Sequence, residues 1–225
     1  VPVRKRKVLA PHIRAQQNPV MKPVTLSTER LRLCAFTPED TEAAYAACQD
    51  PDIQRWTTIP SPYGREHAEQ FIQRMVPDGW RYDSEYTFAV RPRDDDTLLA
   101  AISLHHPRSG TWEVGYWTAK EHRGRGYMTE AVTAVARWAF TALDTIRLEW
   151  RAEVGNQGSR AVAEKAGMVV EGVLRAGLLN KDTVRDCWVG ALLPSDVGLP
   201  GAYPYLPART EPTWTEPAGT GTGAG

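Results

Sequence analysis

Trp112-Glu-Val-Gly-Tyr-Trp-Thr-Ala-Lys-Glu-His-Arg-Gly-Arg-Gly-Tyr-Met-Thr-Glu130 is the stretch whose reading decides the fold. Its first half alternates aromatic and branched residues with small or polar ones, the two-residue period of a strand. Its second half sets Gly124 and Gly126 among arginines, and from Met128 the apolar residues recur at helical spacing. Strand, glycine turn, helix is an order that leaves bare backbone N–H groups at a helix N-terminus. Those donors, with the positive end of the helix dipole, attract an anion. Glycine matters there because a side chain would block the approach of a phosphate or forbid the required backbone angles. The stretch reads as a phosphate cradle.

Several cradles share this outline. A P-loop needs G-x-x-x-x-G-K-[ST], which is absent, and the dinucleotide pattern G-x-G-x-x-G meets Thr129 in place of its third glycine. An Arg-Gly nucleic-acid segment would repeat, and this one occurs once. An ordinary glycine turn between strand and helix is the bland alternative. The pattern R/Q-x-x-G-x-G/A fits from Arg123 through Gly126 and fails only at Met128. It resembles the acyl-CoA pyrophosphate loop of the GNAT N-acetyltransferases. The flanks, Trp-Glu-Val-Gly-Tyr-Trp before and Gly-Tyr-Met-Thr-Glu-Ala after, resemble the RimJ/RimL branch of that family. Met128 departs from the small residue usual there, which leaves room for a shift at the end of the loop.

Working outward toward the N-terminus, Leu31, Leu33 and Ala35 alternate as a strand, and Thr37-Pro38-Glu39-Asp40 reads as a capped helix start. This T-E-R-L-R-L … F-T-P-E-D opening also resembles the RimJ/RimL branch. Residues 51–63, with Trp56 and three prolines, read as a loop, and a helix is expected over about Arg65 to Met75. Tyr86 to Val90 and Leu98 to Leu104 read as a hairpin. The run Asp94-Asp95-Asp96 is its solvated tip rather than a metal site, since no other ligand-type cluster accompanies it. His105-His106 lacks partners at ligand spacing and reads as a strand-end pair.

Toward the C-terminus, Met128, Ala131, Val132, Val135, Trp138 and Ala139 form one helical face. Ile146, Leu148, Trp150 and Ala152 alternate as a half-buried strand, so a parallel strand–helix–strand crossover is expected. Asn156-Gln-Gly-Ser159, followed by Glu-Lys-Ala-Gly-Met168, resembles the family's N-x-x-S … E-K-x-G-F segment. Asn156 and Ser159 equally suit plain helix capping. Val169 to Leu174 and Asp186 to Leu193 supply two last strands. From Ser195, 11 of 31 residues are Pro or Gly, the composition of a disordered tail.

The chain of 225 residues, 42% hydrophobic, suits one core with tails. The expected division is a basic extension over 1–22, a GNAT domain over 23–194 and a Pro/Gly/Thr-rich tail over 195–225. Five of the basic residues lie within residues 1–20 beside no acid, leaving 22 basic against 27 acidic residues in the rest. That first segment has no apolar core like a signal peptide's and reads as an extension ahead of Met21. A basic arm touching RNA is its alternative reading; otherwise nucleic acid is not an expected partner. Three scattered cysteines favour a reducing compartment, so the cytoplasm is the expected location, and no apolar run approaches a membrane span.

The resemblance implies a mixed α/β sheet whose two central parallel strands splay to admit the pantetheine arm of acetyl-CoA. It places the cofactor on Val114, Gly115, Tyr116 and Trp117 of the strand. Arg123, Gly124, Arg125, Gly126, Tyr127, Met128 and Thr129 of the turn hold it further out, and Asn156 and Ser159 complete the set. Acyl transfer needs a neutral amine, a polarised carbonyl and a thiolate that leaves; a thiol of pKa about 8.5 leaves with little protonation. Many GNAT enzymes carry a tyrosine acid seven residues after the asparagine, and here that position is Ala163. Ser159 is the substitute the resemblance suggests. Glu113, acting through water, is the expected base, with a solvated strand residue as its alternative. Trp56, Tyr63, Trp80 and Tyr82 border the expected acceptor pocket, or pack the core. The expected reaction moves an acetyl group from acetyl-CoA to a small-molecule amine or a protein N-terminus, without a metal, in a monomer or homodimer. The alternatives are another donor such as succinyl-CoA, and an acyl-CoA-binding module with little turnover.

Overall fold

A computed structural model describes residues 21–208, so the expectations for residues 1–20 and 209–225 lie outside the described residues. The chain opens with two short strands, β1 (Leu26–Ser27) and β2 (Leu31–Cys34), then helices α1 (Thr41–Ala47) and α2 (Pro51–Trp56). Helix α3 (Arg65–Gln70) runs through a wide π turn over Phe71–Met75 into α4 (Val76–Arg81). Strands β3 (Tyr86–Pro92), β4 (Ala100–Arg108) and β5 (Thr111–Thr118) form a meander, and α5 (Tyr127–Ala142) crosses to β6 (Arg147–Glu153). Helix α6 (Gln157–Lys165) and a long hairpin of β7 (Val169–Asn180) and β8 (Thr183–Leu192) complete the domain.

The strands form one mixed sheet of eight in the order β1-β2-β3-β4-β5-β6-β8-β7. All neighbours are antiparallel except β5 and β6, which run parallel because the α5 crossover joins them. Their pairing covers Thr111↔Arg147 to Val114↔Trp150 and then stops. Strand β5 continues to Thr118, still paired to β4 through Ala100↔Thr118, while β6 continues to Glu153 on the β8 side. The expected splay is therefore present, and its apex lies at Val114 and Trp150.

The alternating residues foreseen for β5 and β6 put Trp112, Val114, Leu148, Trp150 and Ala152 into the main core with the apolar face of α5. Trp138 of α5 meets Tyr86 and Phe88 at 5.3 and 5.4 Å between ring centroids, and Trp80 lies 5.9 Å away. Edge-on aromatic packing of this kind adds about 0.5–1.5 kcal/mol per pair beyond area burial. Beside Asp40, which ends the turn of helix ahead of α1, lies a buried cation. The Arg91 guanidinium is 2.6 Å from the Asp40 carboxylate, with both side chains 6% exposed. Asp40 also accepts from the Thr37 N–H at 2.8 Å, so the T-P-E-D helix start is tied to β3.

Three segment expectations need correction. Residues 51–63 are not all loop: Asp50 accepts from the Asp52 N–H at 2.7 Å and Pro51 occupies the first helical position, which nucleates α2. The helix expected to end near Met75 reaches Arg81, because the π turn precedes Pro77, whose missing N–H breaks the hydrogen-bond ladder in any case. The tail does not begin at Ser195: a 3-10 turn over Pro194–Val197 packs on the core, and Arg137 donates to the Val197 carbonyl at 2.7 Å.

Candidate active site

The glycine turn has the geometry its composition demands. Gly124 and Gly126 adopt φ of +75° and +77°, a left-handed conformation that costs other residues about 1–2 kcal/mol. A Cβ on Gly124 would meet nothing within 4 Å, so conformation rather than crowding explains that glycine. Gly126 is the N-cap of the 16-residue α5 and supplies no side chain, so the N–H groups of Tyr127, Met128 and Thr129 face outward for an anion. Met128 is buried on the core face of α5, which accommodates the one departure from the loop pattern without disturbing the turn.

Two motifs far apart in sequence prove to be one device. Glu130, in the first turn of α5, accepts from Thr28 Oγ1 at 2.5 Å and from Arg30 Nε at 2.6 Å, and also from the Arg30 N–H at 3.1 Å. Arg30 donates to the Arg125 carbonyl at 3.0 Å and lies over the Tyr127 ring. Burial works against the charge of Glu130, but these donors outweigh it and hold its carboxyl below the usual range. Arg30 is thus a cation beside the cradle that sequence spacing gave no signal for. Arg123, expected at the phosphates, is turned elsewhere. It donates to the Thr118 carbonyl at 3.1 Å and pairs with Asp50 at 3.0 Å and Asp52 at 3.3 Å, fastening α2 to the end of β5. Arg125 is exposed on the turn.

At the splay, the two expected catalytic side chains flank the sheet from opposite faces, since β-strand side chains alternate. On the core side, Asn156 accepts from the Ser159 N–H at 3.1 Å, so Asn156 does cap α6. Ser159 Oγ accepts from Trp150 Nε1 at 2.9 Å and donates to the Tyr116 hydroxyl at 3.2 Å, while Tyr116 donates to the Ser159 carbonyl at 3.0 Å. Burial pushes the Tyr116 phenol up to about 12. Tyr116 therefore contributes its side chain here, a role the sequence reading, which used only its backbone, missed. Ala163, at the position where many GNAT enzymes carry a tyrosine acid, is fully buried.

On the other face, Glu113 is no solvated strand residue. Its side chain is 15% exposed and lies 3.7 Å from Arg151 Nε. Arg151 also bonds Glu149, which is buried and paired with Arg108. His105 stands opposite Glu113 on β4, and its ring lies so close over Gly115 that a Cβ there would come within 2.6 Å of Nε2. That crowding gives Gly115 a reason, and it makes a strand-end histidine a neighbour of the candidate base. Strand pairing, not spacing, brings the two together.

The four acceptor candidates separate. Trp56 ends α2 beside the β6–α6 turn, where a Cβ on Gly155 would lie 3.6 Å from its ring, and Arg55 stacks on it at 4.2 Å. Tyr63 is buried in a small cluster with Cys48, Ile53 and Ala68, against which Trp117 of β5 packs. Trp80 is a core residue, 1% exposed, with Nε1 donating to the Thr87 carbonyl at 3.1 Å. Tyr82 is exposed at the end of α4, which packs on β3, three strands from β6. Only Trp56 and, through Trp117, Tyr63 adjoin the splay. A depression of about 920 Å³ lies between α1, β2–β3 and residues 119–122 after β5, and its Arg91 and Asp40 pair with each other. Among the described residues, no group of three potential ligands is placed to hold a metal ion. Nor is any helix there long and apolar enough to cross a membrane.

A parallel pair splayed at its midpoint, an anion-ready helix start and a hydroxyl beside the apex define an acyl-CoA-dependent N-acyltransferase. The family model for the acetyltransferase (GNAT) domain matches residues 30–169, and the chain belongs to that family. Probable N-acetyltransferase YjcK of Bacillus subtilis is 37% identical over 135 residues, 59% of this chain and 72% of that protein. A ribosomal-protein-serine acetyltransferase of Escherichia coli is 29% identical over 94 residues, 41% of this chain and 52% of its own length. Among solved structures, RimL, a ribosomal L7/L12 α-N-protein acetyltransferase in complex with coenzyme A, superposes with a TM-score of 0.67. It is 16% identical and covers 76% of this chain and 98% of its own. RimJ of Mycobacterium smegmatis in complex with a CoA disulfide gives 0.66 at 18% identity, over 78% and 88% of the two chains. The fold is RimJ/RimL-like.

Proposed function

We propose that this enzyme transfers the acetyl group of acetyl-CoA to the α-amine of a protein N-terminus, by direct attack in a ternary complex. The observation that carries this reading is the apex of the splay, with Ser159 and Tyr116 on one face and Glu113 on the other. Attack on a trigonal carbonyl comes perpendicular to its plane, so a base on one face and a hydroxyl on the other suit an acyl group held between the strands. The new C–N bond forms as the C–S bond breaks. Glu113, through a water, takes the proton the nitrogen gives up. The Ser159 hydroxyl, which now donates to Tyr116, turns to the departing sulfur. Backbone groups of Gly115 to Thr118, which have no strand partner on the β6 side, are free to bind the pantetheine arm and polarise the carbonyl; one such donor is worth about 10²–10³ in rate.

An α-amine (pKa about 7.7–8.0) is substantially neutral near neutral pH, whereas a lysine (about 10.4) is not, and a carboxylate acting through water is a weak base. The names of the relatives agree with a protein acceptor. The test is to incubate the enzyme with labelled acetyl-CoA and an extract divided into protein and small-molecule pools. Label on protein N-termini is expected. Label confined to small molecules would overturn the acceptor assignment, and bound CoA without transfer would favour the binding-module reading.

A further inference from the structure

Two residues beyond Arg151 on the same face of β6, roughly 7 Å along the strand, Glu153 is held by two arginines. Arg55 of α2 grips it with two hydrogen bonds of 2.7 and 2.8 Å, and Arg185 of β8 adds a third at 3.0 Å. Lys181, at the tip of the β7–β8 hairpin, donates to the Gln54 carbonyl and, at 3.3 Å, to that of Thr57. These contacts hold the hairpin tip against α2, beside an open depression of about 290 Å³. Arg55, Lys181 and Arg185 line it, with Gln54 and Asn180, and among the described residues no acidic side chain does. Glu153 neutralises one of the three cations, leaving an excess of two positive charges. Burial, and then the charges of Arg55 and Arg185, hold the Lys181 ammonium below its ordinary range, as expected where cations outnumber the one anion among them. Carbonyl oxygens and one shared carboxylate take up several of the donors, but the buried Arg185 Nε has no partner among the described residues and the charge is not balanced.

The geometry points to an acceptor that carries a carboxylate close to its reacting amine: an N-terminal peptide with Asp or Glu at the second or third residue. This inference rests on the N-terminal reading above. One or two residues of extended chain, at about 3.3 Å each, span the distance from the Glu113–Arg151 pair to the Glu153 group, and Trp56, beneath Arg55, borders the path. The excess charge attracts such a chain and repels one with a lysine at that position.

The test uses the full enzyme with acetyl-CoA and three peptides that differ only at the second and third residues: Asp-Asp, Ala-Ala and Lys-Lys. We expect kcat/KM to rank them in that order, with about a tenfold or larger ratio between first and last at low salt that shrinks as salt screens the charges. Lys181→Gln and Arg185→Gln should each narrow this ratio, which does not depend on the folded fraction of the variant. Equal rates for the three peptides, or a ratio unmoved by salt and by both variants, would overturn this inference and leave the N-terminal reading standing. Acetylation of small amines but of none of the peptides would overturn both.

Discussion

Tyr116 gives α6 what Ala163 does not, a phenol within hydrogen-bond reach of Ser159. Because burial keeps that phenol neutral up to about pH 12, it serves as donor and acceptor to Ser159 and never as a base at working pH. Tyr116→Phe is therefore expected to lower kcat by about tenfold without changing the shape of the pH–rate profile between about pH 6 and pH 10; a displaced alkaline limb would show that the phenol titrates. Ser159→Ala should have a similar, modest effect, since a thiolate leaves readily. Glu113→Gln removes the base proposed on the opposite face, and kcat should fall by about 10²-fold or more while the Kd for CoA changes little. Steady-state rates beside calorimetric CoA binding would check this, and equal losses in both would mean that Glu113 is structural.

At the level of elements, the cradle is held by β1–β2 as much as by its own turn. Gly124→Ala meets no neighbour, so its cost is the left-handed backbone alone, about 1–2 kcal/mol. Glu130→Ala removes the acceptor that Thr28 and Arg30 share and should raise the Kd for CoA several-fold and lower Tm by a few degrees. The pH dependence has a definite sign. Glu130 is depressed in the fold, so its contribution is present above the ordinary carboxylate pKa and is lost as pH falls below about 4. Thermal melts of wild type and Glu130→Ala should converge there; an unchanged gap would show that the lock is not ionic.

For the whole molecule, buried acids of high pKa make alkali the weak side. Desolvation pushes the Cys48 thiol and the Tyr116 phenol up to about 12 and raises Tyr63 and Tyr86 further. Their unfolded counterparts ionise near 8.5 and 10, so the stability these groups contribute is complete below those values and drains as pH rises toward 12. Tm is expected to fall progressively from about pH 9 upward, and less steeply in Cys48→Ala once its lower starting Tm is allowed for. The Asp40–Arg91 pair joins the first helical turn to β3 inside the protein, and Asp40→Ala leaves a buried guanidinium unpaired at a cost of about 3–5 kcal/mol. Denaturant melts would measure it.

By itself the sequence determined the local periods and the turn chemistry: the alternation of β5 and β6, the apolar face of α5, the glycines at positive φ and the Asn156 cap. It also carried the family, because those features occur in one order along the chain. Each is set by residues within a few positions of one another, where backbone sterics and side-chain spacing decide. The tertiary structure alone decided which distant residues share a space. Thr28 and Arg30 meet Glu130 about 100 positions on. His105 comes beside Glu113 through strand register, and Arg123 turns to Asp50 and away from the cradle. Trp80 goes to the core and Trp56 to the splay, although the two tryptophans read alike in sequence. Burial and long-range charge pairing depend on how sheet and helices close over each other, and no local pattern encodes that closure.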